Sequence, residues 1–574
     1  MRNKIRFSNL CIEIECQRGD IQTQSDVTRF YPVKANRSNT IFRLSSRFAP
    51  EVLKVFRGLD ATNITDAPDN IQSIFWSEVI ARAEVKDLIK NGPRRDPYVN
   101  EHLTLDAHQE LGRELSEYRN RYAFFYDTRT GKTPMSLTII NDDLQANPGH
   151  RWLIVCPLIL IENAWMEDAT KFFPELTVIN CHATTRDKRL AKLKQRGQIY
   201  VTNTESFVKY KQYFEEMHFD GCFVDESSSM KSNKSKVSKA LVDFAQTVRR
   251  FYLLSGTPAP NGEWEYYMQL RAIDYYGVQP SFTQFKNRYF TNISFNPQYE
   301  KLAIRPECKE ELTALIKNYA VYVDKEDVLD TPGRTFHEVE IQMPDDLIKY
   351  YNKMKNELYI ELSDTGASIT APSTAAKLNK LNQISSGFIM DTQAKLENAV
   401  YDEKKQEWYL LTNYRFSKLI QLLDRFGDEQ VIIWANYHIE FDIIQDLLGD
   451  RCRCVYGKVS LEEKNEAIKL FKSGAIQYLI ANPASADKGL TLTNAHIAVY
   501  FSLNWSYELF KQSTERIYGA KRSQPKHCEY YIIIAKNTID RVLYSDVLQG
   551  KRNASYAVLK HLKGAWRNWQ TQKT

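Results

Sequence analysis

The stretch Ala123-Phe124-Phe125-Tyr126-Asp127-Thr128-Arg129-Thr130-Gly131-Lys132-Thr133 reads as an apolar strand, a loop ending TGKT and the start of a helix. A strand-to-helix turn of this kind presents backbone N–H groups and a helix N-terminus to phosphates, adds an ammonium to bridge them, and supplies a hydroxyl for Mg²⁺. The usual phosphate loop carries a further glycine five residues before the second one, and Tyr126 stands in that place. By itself TGKT fits a nucleotide site and a chance helix start about equally, so the rest of the chain has to decide.

With 574 residues there is room for roughly three or four domains. A composition 43% hydrophobic and 26% charged is that of a globular protein. No apolar run approaches the ~18 residues of a membrane span, and the N-terminus leads into alternating rather than continuous apolar residues. The expectation is a cytoplasmic protein without a membrane partner. Nine cysteines are scattered; Cys11 with Cys16 and Cys452 with Cys454 lack nearby partners for a zinc site, which leaves reduced core thiols.

The net charge of +6 is concentrated at the end of the chain. Residues 551–574 hold Lys551, Arg552, Lys560, Lys563, Arg567 and Lys573, no acid, and the interleaved aromatics Tyr556, Trp566 and Trp569. That mixture suits phosphate contact with base stacking, and equally an amphipathic helix docked on the body.

Taken in order, residues 1–100 read as a small α+β accessory domain. Period-two patterning in Ile5 and Phe7, in Leu10, Ile12 and Ile14, and around Ile41 to Leu44 indicates short strands. A helical face follows in Ile71, Ile74, Phe75 and Val79, continues through Val85, Leu88 and Ile89, and stops at Asn91-Gly92-Pro93. From about residue 101 strands alternate with helices, which indicates a parallel sheet with crossovers. Its buried strands are Ala123–Tyr126, Leu153–Cys156, Ile199–Thr202, Cys222–Val224 and Tyr252–Leu254. Two of them end in chemistry: Cys222-Phe223-Val224 runs into Asp225-Glu226, and Leu253-Leu254 into Ser255-Gly256-Thr257-Pro258. An acidic pair at a strand end can hold Mg²⁺ through water and polarise an attacking water, though it can also cap a helix, and SGTP is also a turn. Phosphate loop, acidic pair and SGTP in this order on one sheet favour the nucleotide reading.

These motifs resemble superfamily-two helicases, and within them the Snf-type double-stranded DNA translocases. The resemblance rests on His108-Gln109, TGKT, LIVCPLILIENAW at 153–165, VTNTESF at 201–207, DESSSMKSNKSKVSKAL at 225–241 and LLSGTPAPNGEWEYY at 253–267. It continues with YVDKEDVLDTP at 322–332, VIIWANY at 431–437, LIANPASADKGLTLTNA at 479–495 and KQSTERIYGAKRSQ at 511–524. It implies an α/β fold: RecA-like motor domains at 101–275 and 396–545, helical insertion and linker at 276–395, and the basic aromatic tail at 546–574.

The resemblance also implies residue roles. Gln109 is expected to recognise adenine; Thr130, Gly131, Lys132 and Thr133 to hold phosphates, Thr133 with Asp225 holding Mg²⁺; and Glu226 to activate water. Ser255 and Thr257 would couple ATP state to the grip on DNA, and Gly489, Gln512 and Arg516 would complete the ATP site from the second domain. The family's second arginine, three residues after Arg516, is replaced by Gly519, so Arg522, with Lys521 as the weaker alternative, is expected to stand in. The expected activity is an ATP-dependent translocase or helicase on duplex or branched DNA, gripped mainly by phosphates, in replication, recombination or repair. A viral or bacterial factor is expected, working in the host cytoplasm if viral. Two alternatives stay open: an RNA-dependent ATPase acting in transcription, and a degenerate nucleic-acid-binding module, for which Tyr126 and Arg129 in glycine places argue.

Overall fold

The computed structural model describes residues 4–7, 11–15, 34–36, 38, 41–48, 52, 68–293, 300, 302–357, 359–361, 368–370, 374–391, 407–485, 492–521 and 523–549. The chain forms two compact units, one built on Met1–Leu329 and the other on Asp330–Asn553.

The first unit opens with four antiparallel strands, β1 (Lys4–Phe7), β2 (Cys11–Glu15), β3 (Lys34–Ala35) and β4 (Ile41–Ser45), in the order β1-β2-β4-β3. Ile12, Ile14, Phe42 and Leu44 are buried, as period-two patterning requires of one face. The helix Pro68–Asn91 follows and ends where Gly92, at φ +94°, donates its N–H to the Leu88 carbonyl at 2.8 Å. The Pro93–Pro97 stretch, which reads as a linker, is held down by Glu114, whose carboxylate accepts from the Arg94 and Arg95 N–H groups at 2.9 Å each.

A seven-stranded, all-parallel sheet dominates this unit. It comprises β5 (Arg121–Tyr126), β6 (Trp152–Cys156), β7 (Val178–Asn180), β8 (Ile199–Asn203), β9 (Gly221–Asp225), β10 (Arg250–Leu254) and β13 (Ala320–Val323), in the order β13-β5-β10-β9-β6-β8-β7. Between its last two members lies the hairpin β11 (Phe290–Asn292) and β12 (Leu302–Ile304). Alternate residues of β5 enter different cores: Ala123 and Phe125 pack with Leu153, Val155, Val224 and Leu253, while Tyr122, Phe124 and Tyr126 pack with Trp152, Phe223 and Tyr252. Burial on both faces explains why these strands read as continuous apolar runs.

The second unit holds a six-stranded parallel sheet of β14 (Arg334–Ile341), β19 (Val431–Trp434), β20 (Cys452–Val455), β21 (Tyr478–Ala481), β22 (Ile497–Tyr500) and β23 (Cys528–Ala535), ordered β14-β23-β22-β19-β21-β20. The small hairpins β15 (Tyr359–Glu361) with β16 (Ser368–Thr370), and β17 (Phe388–Asp391) with β18 (Glu407–Leu410), and the helices Asp345–Glu357 and Thr374–Ser386, interrupt it. Its core contains a buried ion pair, Arg415 with Asp540; Arg415 also donates to the Phe501 carbonyl at 2.7 Å, and Ser385 donates to Asp540 at 2.6 Å.

The two parallel sheets with their helices bear out the α/β fold class, with one parallel sheet in each lobe, expected from sequence. The division between them differs from the expectation. Residues 276–395 read as an insertion, yet β13 within them completes the edge of the first sheet and β14 the edge of the second. The reason is that β13 is a four-residue apolar run whose partner, β5, lies some 200 residues earlier; local pattern cannot reveal such a pairing. The basic tail from Lys551 onward lies outside the described residues. Among the described residues no helix is long and apolar enough to cross a membrane, and eight cysteines are free.

Candidate nucleotide site

Three neighbouring strands, β5, β10 and β9, end side by side, with Leu254 in register with both Phe124 and Asp225. Parallel pairing therefore brings their carboxyl ends, and the loops that follow them, to one edge of the sheet, where α/β folds bind ligands.

After β5 the chain turns through Arg129, at φ +63°, and Gly131, at φ +74°, into the helix Lys132–Ala146. Left-handed backbone suits the glycine and strains the arginine. A Cβ on Gly131 would lie 1.9 Å from Gln109 Nε2, so no larger residue fits without displacing that amide. Gln109 Nε2 donates to the Thr130 carbonyl at 3.1 Å, and Gln109 Oε1 accepts from the Asp106 N–H at 2.8 Å. His108 Nε2 also donates to the Thr130 carbonyl, at 2.7 Å; burial pushes its pKa down, which keeps the ring neutral. Thr130 Oγ1 in turn donates to the Asp127 carbonyl at 2.7 Å.

Tyr126 does not obstruct the loop. Its ring is buried beneath the helix Ala107–Tyr118, where the hydroxyl donates to the His108 carbonyl at 2.7 Å and lies 3.0 Å from where a Cβ on Gly112 would stand. Lys132 Nζ donates to the Tyr126 and Asp127 carbonyls at 3.1 and 3.2 Å, which places the ammonium over the end of β5. Thr133 is half-buried in the first turn of the helix.

Asp225, the last residue of β9, is 5% exposed and both its oxygens are engaged. Oδ1 accepts from the Glu226 N–H at 2.9 Å and Oδ2 from Trp165 Nε1 at 3.0 Å. Glu226 sits at φ +51°, a strained conformation of order 1–3 kcal/mol that clusters at functional sites. Ser255 and Thr257 are buried just beyond β10, with the Thr257 N–H donating to Ser255 Oγ at 3.1 Å. A Cβ on the intervening Gly256 would lie 3.2 Å from Thr128 N, so this loop rests directly against the phosphate loop.

Trp165 and Gln269 were not singled out from sequence. Gln269 is fully buried; its Oε1 accepts from Ser227 Oγ at 2.8 Å and its Nε2 donates to the Pro258 carbonyl at 2.7 Å. It thereby ties the loop after Asp225-Glu226 to the SGTP loop. A lone amide in the apolar helix Tyr266–Ile273 is the signal that could have found it.

In the second unit, Gln512 lies near the end of the helix Tyr507–Thr514 and Arg516 in the turn after it, each 8% exposed. The segment is clamped from several sides. Tyr530 donates to the Thr514 carbonyl at 2.6 Å, Arg334 pairs with Glu515 at 3.1 Å and packs over the Tyr518 ring, and the Leu492 N–H donates to the Arg516 carbonyl at 2.9 Å. Lys521 pairs with Asp330 at 2.8 Å. Gly489 and Arg522 lie outside the described residues.

The chemistry of the donor set fits Mg²⁺ with phosphates. Among the described residues no cluster of three His, Cys, Asp or Glu side chains could hold a metal, whereas Mg²⁺ is held by one or two carboxylates together with substrate phosphates. Asp225 and the Thr133 hydroxyl are the hard-oxygen groups that would hold it there.

Helix-start amides and an ammonium after β5, with two carboxylates at the end of β9 two strands away, are the kind of groups that an α/β lobe of the nucleotide-binding class presents at one sheet edge. The SNF2-related domain matches residues 116–389, and the helicase conserved C-terminal domain matches residues 414–521. The putative protein p41 of Acyrthosiphon pisum secondary endosymbiont phage 1 is 24% identical over 444 residues, which are 75% of this chain and 91% of that protein. The chromodomain-helicase-DNA-binding protein 1-like of Danio rerio is 26% identical over 418 residues, 69% of this chain and 37% of that protein. The human SWI/SNF-related matrix-associated actin-dependent regulator of chromatin subfamily A member 1 is 24% identical over 495 residues, 81% and 44% of the two chains. The chain thus spans less than half the length of these two chromatin relatives. Among solved structures, the Sulfolobus solfataricus SWI2/SNF2 ATPase core in complex with dsDNA is 18% identical, with a TM-score of 0.36, over 82% of this chain and 98% of that one. The chain belongs to the SNF2 family of superfamily-two helicases and translocases. With that family come ATP use and ATP-dependent translocation on, or remodelling of, nucleic acid.

Proposed function

We propose that the protein is a DNA-dependent ATPase that moves on or remodels duplex or branched DNA in replication, recombination or repair. The observation that carries the reading is the juxtaposition at one sheet edge of Lys132, held over the end of β5, with Asp225-Glu226 and Ser255–Thr257 at the ends of β9 and β10. The phage relative, matched over 91% of its length, supports a phage-type factor acting in a bacterial cell.

In this reading the loop amides from Thr130 to Thr133 and the Lys132 ammonium receive the β- and γ-phosphates. Bound Mg²⁺, held through Asp225 and Thr133, would neutralise charge building on the phosphates. Glu226 accepts the proton of the attacking water as its oxygen approaches the γ-phosphorus, and ADP departs with the bridging oxygen. Trp165 fixes one Asp225 oxygen, so the carboxylate keeps its direction through the cycle. Gln109, Gly489 and Gln512 are assigned to nucleotide binding, and Arg516 and Arg522 to sensing the γ-phosphate. Ser255 and Thr257 report that state to the DNA grip.

ATP hydrolysis measured side by side with duplex DNA, single-stranded DNA and RNA, for the wild type and Lys132→Ala, tests the proposal. Stimulation by duplex DNA that vanishes in the variant supports it. Stimulation by RNA alone would assign the motor to transcripts, and no turnover with any polymer would leave a nucleic-acid-binding module.

A further inference from the structure

At the amino ends of the β5 and β10 strands, the sheet edge opposite the TGKT loop, two adjoining cavities of about 570 and 360 Å³ share Arg47, Glu78 and Arg119 as walls. The region Ser46–Phe48 and the helix Pro68–Asn91 cover them from one side; the starts of β5 and β10 and the residues after helix Tyr266–Ile273 form the other.

Among the described residues the charge here is unbalanced. The side chains of Arg47, Arg119 and Arg121 are 16%, 8% and 9% exposed, and two carboxylates, the half-buried Glu78 and the buried Asp274, face them. Both acids are already shared. Glu78 binds Arg119 at 2.7 Å and the exposed Arg82 at 3.0 Å, while Asp274 accepts from Ser45 Oγ, from Tyr319 at 3.0 Å and from the Gly277 N–H at 2.8 Å, with Arg47 4.0 Å away. Arg121 donates only to the carbonyls of Ile273, Val248 and Ala272, at 2.8, 2.9 and 2.6 Å, and burial lowers its pKa to about 10. Arg119 is held below the usual arginine range by burial and then by Arg47 beside it. Among the described residues its buried Nε has no partner, nor has the buried hydroxyl of neighbouring Tyr122. Water in the cavity could satisfy an orphaned N–H but would not offset the excess positive charge. An anion does both, and a guanidinium fork matches phosphate oxygens in particular.

We propose that this crevice is a second ligand site, taking a small phosphate-bearing anion of up to mononucleotide size between Arg119 and Arg47, with Arg249 at its mouth. The larger cavity lies within the ~300–1,000 Å³ range of small-molecule sites. Because β1–β4 and the helix Pro68–Asn91 adjoin it, the ligand would fasten the amino-terminal region to the motor lobe.

The test uses full-length Lys132→Ala protein, in which the phosphate loop is weakened, and follows the melting temperature in pyrophosphate against potassium chloride of equal ionic strength. A rise of about 2–4 °C is expected at saturating ligand. It should be lost in Lys132→Ala/Arg119→Gln and at least halved in Lys132→Ala/Arg249→Glu, whose changed side chain is exposed and whose folding is not at stake. If the Arg119 variant fails to fold, the Arg249 variant decides. Equal melting in the two salts, or an undiminished rise in the variants that fold, overturns the proposal. Parallel arms with inorganic phosphate and AMP separate a bare phosphate site from a nucleotide site.

Discussion

Ser227 donates its hydroxyl hydrogen to Gln269 Oε1 at 2.8 Å, one residue after Glu226 and inside a core from which water is excluded. The same amide donates to the Pro258 carbonyl at 2.7 Å, one residue after Thr257. One planar group therefore holds the acidic loop and the SGTP loop at a fixed separation, and a shift in either is felt by the other. Gln269→Ala should lower nucleic-acid-stimulated ATP turnover by roughly 10²-fold, since displacements near 1 Å have such effects, while ATP affinity stays near wild type. Gln269→Leu keeps roughly the volume but can make neither the bond to Ser227 nor the bond to Pro258, and should fail in the same way. A fall in melting temperature with the stimulation ratio unchanged would make Gln269 a packing residue only.

Lys132→Ala should reduce ATP hydrolysis by at least ~10²-fold, the scale for losing one charge-stabilising donor, and leave DNA binding largely intact. Glu226→Gln should retain ATP affinity and hydrolyse slowly, because an amide cannot accept the water's proton. Nucleotide-binding titrations beside steady-state rates separate the two; a Glu226→Gln protein that cannot bind ATP would move that residue from water activation to metal holding.

Gly131 combines φ +74° with a Cβ position already occupied by Gln109 Nε2. Gly131→Ala should therefore weaken nucleotide binding by ~10-fold or more, the left-handed backbone alone costing about 1–2 kcal/mol. Adding Gln109→Ala removes the clash but not the backbone strain. Because Gln109→Ala itself removes a proposed nucleotide contact, the double variant is compared by titration with that single variant: a smaller loss from Gly131→Ala in the Gln109→Ala background than in the wild type identifies the clash, and an equal loss leaves the strain as the sole cause.

Glu440 is fully buried, accepting from the Asn436 and Tyr437 N–H groups and from Ser502 Oγ, and burial raises its pKa to about 7. A carboxyl whose folded pKa lies above its unfolded value favours the native state below the unfolded pKa, and that contribution is lost as pH rises through about 7. Glu440→Gln should therefore melt close to wild type at about pH 5 and several degrees higher at about pH 8. A gap of the same size at both pH values would show that Glu440 does not titrate there.

Deleting residues 551–574 removes six basic side chains and no acid. DNA affinity should drop and its logarithmic salt dependence should flatten by up to ~0.9 per lost phosphate contact. An unchanged slope with a lower melting temperature would mark the segment as a docked helix.

The strand-end motifs were legible in the sequence because each joins a short apolar run to residues whose chemistry is specific: Lys132 and Thr133 after β5, Asp225 and Glu226 after β9, Ser255 and Thr257 after β10. Local periodicity also determined the α/β class, the strand-helix alternation of the first sheet and the amino-terminal strands, since these depend on patterns close along the chain, whereas the second lobe was implied only by the family resemblance. What only the tertiary structure decided depends on contacts distant in sequence. Strand β13 joins β5 across some 200 residues, so the boundary at Leu329 could not be read locally. Gln269 acquires a role only because Ser227 and Pro258 are brought to its two ends. Tyr126, an anomaly in the motif, leaves the loop unobstructed because its ring turns away from it to the His108 carbonyl. The excess of buried guanidinium around Arg119 exists only once residues 47, 78, 119, 121 and 274 share one crevice, for charge balance in a low-dielectric interior is set by which groups meet in space, and sequence order does not fix that.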